Sequence, residues 1–183
     1  GHPDRNVFGG HSFNIAHDGV AACSGCHPGL TGLNRTAYGD FDGDGVLEGI
    51  LDETGGLQSL LAGALSARAA ALFPVETGGP SPTVMQAGGY IRILRHYEPG
   101  VSDPACDPVI FNRSNEFCYA FPAGEIPAAT PGAQELLDAA WNLFLVRGDG
   151  ASGIHNGAYS VSVLQRSYAV VAGQPVPGAT IRD

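Results

Sequence analysis

The chain has 183 residues, of which 44% are hydrophobic and 15% charged, and its formal net charge is −9. This length can bury one sizeable core, and a single domain over 1–183 is the simplest organisation. The acidic charge argues against a nucleic-acid partner, and no stretch approaches the roughly 18 to 20 continuous apolar residues of a membrane span. All nine basic residues are arginine. Because the net charge is negative, a partner steered by charge would present a basic face.

Residues 1–39 are rich in glycine and histidine and show little helical periodicity, which predicts an irregular arm. The chain begins at Gly1 without an initiator methionine, a basic region or an apolar signal core. This beginning suits a mature protein whose export signal has been removed. We therefore expect a periplasmic or extracellular location.

The arm contains the run CSGCH at 23–27, a C-x-x-C-H pattern. Two thiols one short turn apart, followed by an imidazole, are the signature of covalent c-type haem attachment. Cys23 and Cys26 would bond the porphyrin, and His27 would be the proximal ligand of the iron. The sequence therefore predicts one covalently bound haem c.

Zinc and a dithiol redox motif are the alternatives for the same run. A structural zinc site needs four N or S ligands, and the only other cysteines, Cys106 and Cys118, do not form a closely spaced pair. A thioredoxin-like dithiol should follow a hydrophobic strand, which is missing before Cys23. If haem occupies the first pair, Cys106 and Cys118 are left to form a disulfide in an oxidising compartment, or to remain as buried free thiols.

The acidic segment over 40–53 is expected to be loop, and its first part, the acidic loop at 40–48, has the pattern D-x-D-x-D-G-x-x-E. Alternating aspartates place hard oxygen atoms on one side of a tight turn, which is typical of calcium loops. The predicted Ca²⁺ ligands are Asp40, Asp42, Asp44, the carbonyl of Val46, and Glu48. The loop departs from an EF-hand because position 12 is Leu51, although Asp52 or Glu53 could complete the shell. The alternative is an ordinary solvated acidic turn.

The next segments predict one helix and then a long loop region. Apolar residues recur at helical spacing in the run GLQSLLAGALSARAAALF at 56–73, and Pro74 ends this helix. The apolar face contains Leu57, Leu60, Leu61, Ala64, Leu65 and Leu72. Residues 74–131 hold nine of the thirteen prolines, which predicts mostly loop with a short helical piece near 88–97.

Two further helices are predicted in the last third of the chain. Thr130 is placed as the N-cap and Pro131 as the first residue of one helix. Its apolar face contains Leu136, Leu137, Ala140, Trp141 and Phe144. Asn156 is placed to cap the last helix, over about 157–172.

A haem iron needs a sixth ligand or an open site. His155 directly precedes a capped helix, so a rigid element would hold its imidazole, and we favour it as the distal ligand. Met85 is the only methionine and could replace histidine as the sixth ligand. His11 and His17 precede the haem motif and would more naturally reach another haem than their own.

Three segments resemble the multihaem c-type cytochromes of the bacterial periplasm and cell surface. They are ACSGCHPGL, DFDGDGVLEGILDETGGL and AAWNLFLVRGDGASGIHNGAYSVSVLQRSY, which together span about half of the chain. The histidine of the G-x-H-N turn is commonly a distal ligand in that family, and the resemblance carries this role onto His155. Family members carry several C-x-x-C-H motifs and this chain carries one, so an internal haem wire is excluded. His11 and His17 could then serve a neighbouring subunit in a homo-oligomer or filament.

The expected fold is mainly α, with a few helices and long irregular loops around a covalently bound haem and little or no β-sheet. Its parts are the haem-attachment arm over 1–39, the calcium-like loop and helix over 40–73, the proline-rich loop region over 74–131 and the C-terminal helices over 132–183. The predicted function is that of an exported monohaem cytochrome, an electron carrier and not an enzyme, with low-spin bis-histidine iron and a structural Ca²⁺. A structural subunit of an extracellular cytochrome filament, and a haem peroxidase or small-molecule reductase with an open distal site, are the alternatives.

Overall fold

The computed structural model describes residues 19–72, 83–87, 90–96, 118–119, 131–149, 154 and 156–182, and its architecture is mainly helical. Within these ranges the elements are a 3₁₀ turn at Gly19–Cys23, α1 at Ile50–Leu72, β1 at Thr83–Ala87, β2 at Tyr90–His96, β3 at Cys118–Tyr119, α2 at Ala133–Asp149 and α3 at Gly157–Ala172. The three α-helices pack against one another, and the core lies between them.

Helix α1 begins at Ile50, inside the segment expected to be loop, and it has two acidic residues in its first turn. Negative side chains are favourable there because the helix dipole is positive at its N-terminus. The buried apolar residues of α1 recur every fourth position, at Leu57, Leu61, Leu65 and Ala69. Leu60, predicted for the same face, is 38% exposed. The helix ends at Leu72, as expected two residues before Pro74.

Helix α2 begins at Ala133 and not at the predicted Pro131. Gly132 separates the two with a φ of +84°, a left-handed conformation that an α-helix does not contain. The buried face is formed by Ala133, Leu136, Ala139, Ala140, Leu143 and Val146. Trp141 was predicted for this face and is instead 52% exposed.

Helix α3 confirms the predicted bounds and cap. The side chain of Asn156 accepts a hydrogen bond from the backbone N–H of Tyr159, which satisfies one of the unpaired donors at the helix start. At the other end Gly173 has a φ of 73°, and its N–H donates to the carbonyl of Ala169. This left-handed residue is a common way for a helix to end.

The helical piece expected near 88–97 was wrong, because β2 occupies Tyr90–His96. The sheet is antiparallel with the order β1-β2-β3, and β1 pairs with β2 in continuous register from Thr83 with Leu94 to Ala87 with Tyr90. Aromatic and β-branched residues in β2 favour an extended strand. The proline-rich region therefore contains a small sheet, and β1 approaches both α1 and α2.

The C-terminal tail after α3 turns back onto the start of the acidic loop. Val176 is buried, and the N–H of Thr180 donates to the carbonyl of Asp40 at 2.6 Å. Gly43 has a φ of 79° and lies so close to the tail that a Cβ atom there would overlap the carbonyl of Pro177. Both the positive φ and the close approach of the tail require glycine at position 43.

Candidate functional site

The C-x-x-C-H residues lie at the end of the 3₁₀ turn and form a tight helical turn. The N–H groups of Cys26 and His27 both donate to the carbonyl of Cys23, at 3.1 and 2.8 Å. Side chains three and four residues apart in such a turn lie on one face. Neither cysteine is in a disulfide, and Cys26 and His27 are exposed while Cys23 is half-buried. Two thiols and an imidazole are therefore presented together.

Cys23, Cys26 and His27 of this turn line a cleft with a volume of about 1160 Å³. A wall formed by residues 28–38 continues from the motif, and Phe41 and Ile50 also line the cleft. The other lining residues come from the last third of the chain: Ile154, Asn156, Gly157, Ala158 and Arg182. The cleft is larger than the roughly 300–1,000 Å³ of ordinary small-molecule sites.

His155 lies outside the described residues, but its two neighbours, Ile154 and Asn156, both line the cleft. Met85 belongs to β1, and no β1 residue is among the lining residues that the structure describes. His11 and His17 lie outside the described ranges.

The acidic loop is organised by its own carboxylates. Asp40 accepts hydrogen bonds from the N–H groups of Gly43 and Gly45, at 2.7 and 2.9 Å. The Asp42 carboxylate accepts from the N–H of Asp44, and the Asp44 carboxylate from the N–H of Val46. Side-chain acceptors of this kind hold a chain in tight turns.

Glu53 reaches back from the first turn of α1 into this loop and is fully buried. One carboxylate oxygen accepts from the N–H groups of Phe41 and Asp42, at 2.6 and 3.3 Å. The other oxygen accepts from the N–H of Glu48 at 3.0 Å. A buried carboxylate is costly unless it is hydrogen-bonded, so these bonds fix both ends of the loop to the helix.

The carboxylates form two overlapping groups that could hold a cation. One contains Asp40, Asp42 and Glu53, and the other contains Asp42, Asp44 and Glu48. Within each group, one oxygen atom per residue lies within 4.8 Å of the others. All four predicted carboxylate ligands are thus brought together with Glu53. Asp52 is directed elsewhere, because its carboxylate accepts a hydrogen bond from the side-chain amide of Asn34.

Two of these carboxyl groups, Asp42 and Glu48, have raised pKa values. Burial raises the pKa of the Asp42 carboxyl above its usual value, and the nearby charges of Asp44, Glu53 and Asp40 raise it further. Desolvation followed by neighbouring carboxylates also raises the pKa of Glu48. A cation would compensate this concentration of negative charge.

The acidic loop is joined by hydrogen bonds to the wall of the cleft. The N–H of Ala37 donates to the carbonyl of Glu48 at 2.8 Å, and the N–H of Ile50 donates to the carbonyl of Arg35 at 2.8 Å. The N–H of Leu51 donates to the side chain of Asn34 at 2.9 Å. The acidic loop and the start of α1 are therefore in direct contact with residues that line the cleft.

The sequence prediction missed the role of Gln165 in α3, which is 3% exposed. Its amide group donates to the carbonyls of Phe41 and Thr180, both at 2.9 Å, and its oxygen accepts from the N–H of Arg182 at 2.9 Å. A glutamine on the apolar face of a helix is a signal of such a buried polar contact, although the sequence does not name its partners.

The proposed disulfide between Cys106 and Cys118 is not described, since Cys106 and the side chain of Cys118 lie outside the described residues. None of the helices within the described ranges has the length and apolar character that a bilayer span requires. Comparisons of the chain with protein-family models, with curated proteins and with solved structures found no match.

Proposed function

We propose that this chain is an exported monohaem c-type cytochrome that transfers single electrons, similar to the multihaem cytochromes of the bacterial periplasm and cell surface. The observation that carries the proposal is that the C-x-x-C-H residues line a large cleft together with both sequence neighbours of His155. A haem bound in this cleft would be held by residues from both of these parts of the chain.

The donor set fits a haem. The thiols of Cys23 and Cys26 are available, and the turn that holds them presents His27 on the same face. These residues would attach the group and supply the proximal imidazole, while apolar residues such as Phe41 and Ile50 would contact the ring. The haem supplies the redox chemistry, and the chain binds and orients it.

His155 is the proposed distal ligand, which makes the iron low-spin and bis-histidine. The side chain of Asn156, the next residue, caps α3, and this contact restrains the backbone beside His155. Two histidine ligands favour a lower potential than histidine with methionine, which is the alternative that Met85 offers. Saturated ligation suits electron transfer because the iron then binds no substrate.

A Ca²⁺ at the acidic loop is part of the proposal, with Asp40, Asp42, Asp44, Glu48 and the carbonyl of Val46 as the ligands. Glu53 supports the site by holding the loop through three backbone N–H groups. The role of the cation is structural, since the loop is hydrogen-bonded to the cleft wall. It would fix the wall against which the haem packs.

Electron exchange would take place at the exposed edge of the cleft. Cys26 and His27 are exposed, and Tyr38 on the opposite end of the wall is 94% exposed. A partner protein could therefore approach the haem without entering the core. With a net charge of −9, a protein partner with a basic surface is favoured.

The first experiment is the ultraviolet–visible spectrum of the purified protein, oxidised and reduced, with a pyridine haemochrome assay and added carbon monoxide. A covalent low-spin haem that does not bind carbon monoxide is the expected result. High-spin iron that binds carbon monoxide would favour an enzyme with an open distal site. Absence of haem would overturn the proposal.

A pair of variants identifies the distal ligand. His155→Ala should convert the iron to a high-spin form that binds carbon monoxide, since the imidazole is lost. Met85→Ala is the matched control and should leave the low-spin spectrum unchanged. The opposite pattern would assign the ligand to Met85.

A further inference from the structure

The charge of the cleft differs from the charge of the chain. The chain has 18 acidic and nine basic residues, yet the described lining contains two arginines, Arg35 and Arg182, and no aspartate or glutamate. His27 is the remaining basic residue there. The cleft is therefore a positively charged site in a negatively charged protein, and it suits an anionic group.

Both arginines are fixed at the backbone. The carbonyl of Arg35 accepts a hydrogen bond from the N–H of Ile50, where α1 begins, at 2.8 Å. The N–H of Arg182 donates to the side-chain oxygen of Gln165 at 2.9 Å. The guanidinium groups thus extend from anchored positions, one from the cleft wall and the other from the C-terminal tail.

The backbone of Arg182 is held by a buried polar side chain, which is unfavourable to bury. This argues that the position of the tail matters. Gln165 is almost fully buried, and burying an amide group is unfavourable unless its hydrogen bonds are satisfied. The same side chain binds the carbonyls of Phe41, at the cleft, and Thr180, in the tail. One glutamine therefore fastens the tail and its arginine to the cleft wall.

We propose that Arg35 and Arg182 bind the carboxylates of the prosthetic group in this cleft, which, on the proposed function, are the two propionates of the haem. A guanidinium presents paired N–H donors that match a carboxylate, and its charge does not titrate in the physiological range. Gln165 is a positioning residue for Arg182.

The pairing has consequences for the redox equilibrium. A fixed positive charge near the haem stabilises the reduced form, which carries one positive charge fewer than the oxidised form. It also keeps the propionates ionised to lower pH. Loss of either arginine should lower the reduction potential and move the pH-dependent step of the potential to higher pH.

The test uses haem-loaded protein and spectroelectrochemical titration between pH 5 and 8. Arg35→Gln and Arg182→Gln should each lower the equilibrium constant for reduction by about threefold to tenfold. Arg166→Gln is the matched control, because it removes the same charge from an exposed position of α3 that does not line the cleft. It should cause less than a twofold change.

Lysine variants test the same arginine–propionate pairs while keeping the positive charge of the side chain. Arg35→Lys and Arg182→Lys should give potentials between those of the wild type and the glutamine variants, because the ammonium group lacks the paired donors. If a glutamine variant does not accumulate with haem, the lysine variant at the same position tests the proposal in its place. Potentials equal to that of Arg166→Lys would then overturn the inference.

The outcomes separate this inference from the proposed function. Wild-type protein without haem overturns both. Haem-loaded protein in which the cleft variants have the same potential and the same pH-dependent step as the Arg166 control overturns the role of the arginines alone. A Gln165→Leu variant should reproduce part of the Arg182 effect and leave the Arg35 contribution unchanged.

Discussion

The segment over 23–38, which contains the C-x-x-C-H turn and the cleft wall, and the acidic loop over 40–48 are adjacent in the chain, but different interactions hold them. In the loop, seven backbone N–H groups donate to carboxylates, those of Phe41, Asp42, Gly43, Asp44, Gly45, Val46 and Glu48. Within the part of the chain that the structure describes, residues 23–33 are mostly exposed and make only local turn bonds. The loop supplies its own framework, whereas residues 23–33 would gain their main contacts from a group in the cleft.

The largest effect is expected from the cysteines. The double variant Cys23→Ala, Cys26→Ala should lose all covalent haem, so that acid–acetone extraction removes the pigment. Protease should then cut the segment over 19–38 faster, because it has few buried contacts, while the helical circular dichroism signal persists. Ser24→Ala, between the two cysteines, should retain the haem. Pigment that resists extraction in the double variant would contradict attachment at this motif.

The acidic loop should depend on Glu53 and not on charge in general. Glu53→Gln keeps the size of the side chain but places an amide N–H₂ against backbone donors, and should lower the free energy of unfolding by about 3 kcal/mol. Urea unfolding with a chelator present measures this effect without the contribution of a metal. Glu135→Gln, exposed in the first turn of α2, is the control and should cost about 0.5 kcal/mol. Equal losses in the two variants would contradict the role of the buried carboxylate.

Calcium should stabilise the loop in a pH-dependent way. At 100 times its dissociation constant, Ca²⁺ should raise the free energy of unfolding by about 2.7 kcal/mol. Burial raises the pKa of Asp42, and desolvation raises that of Glu48, so both bind protons more tightly when folded. In the metal-free protein these two groups therefore favour folding below their unfolded pKa values, near 3.8 and 4.5, and this contribution is lost as the pH rises through the folded values.

Protons compete with the cation, so the stabilisation by Ca²⁺ should shrink as the pH falls from 7 towards 4. Thermal unfolding at several pH values, with Ca²⁺ and with a chelator, measures the difference. Asp42→Asn should reduce the effect of Ca²⁺ at pH 7. Asp138→Asn, exposed on α2, should not. A stabilisation that is the same in the Asp42 and Asp138 variants would place the cation elsewhere.

The smallest effect is expected at the helix beside the cleft. Asn156→Ala removes the N-cap of α3 and should cost about 1 kcal/mol in urea unfolding. Ser66→Ala is the control, because its hydroxyl only bonds back to the carbonyl of Ala62 within α1, and the change should be near zero. A neutral Asn156 variant would show that the cap contributes little to the position of the chain next to His155.

Much of the fold was predicted from local signals. The apolar spacing and Pro74 gave the end of α1, and the Asn156 cap gave the start of α3, because both depend on neighbouring residues alone. The strand β2 was missed, although Gly88 and Gly89 separate two apolar runs in a pattern typical of a two-residue hairpin. Pairing with β1 makes this segment a strand. The high proline content around it favoured the prediction of a loop over the hairpin pattern.

The candidate site also combines features that the sequence predicts with features that only the tertiary structure decides. The sequence alone predicted the candidate donor residues, since the C-x-x-C-H spacing and the alternating aspartates act within one turn. Only the tertiary structure decided that Glu53 and not Asp52 is directed into the acidic loop, that Trp141 is exposed, and that Gln165 brings the C-terminal tail to the cleft. These outcomes depend on contacts between residues far apart in the chain, and the periodicity of a helix does not specify which neighbour each side will meet.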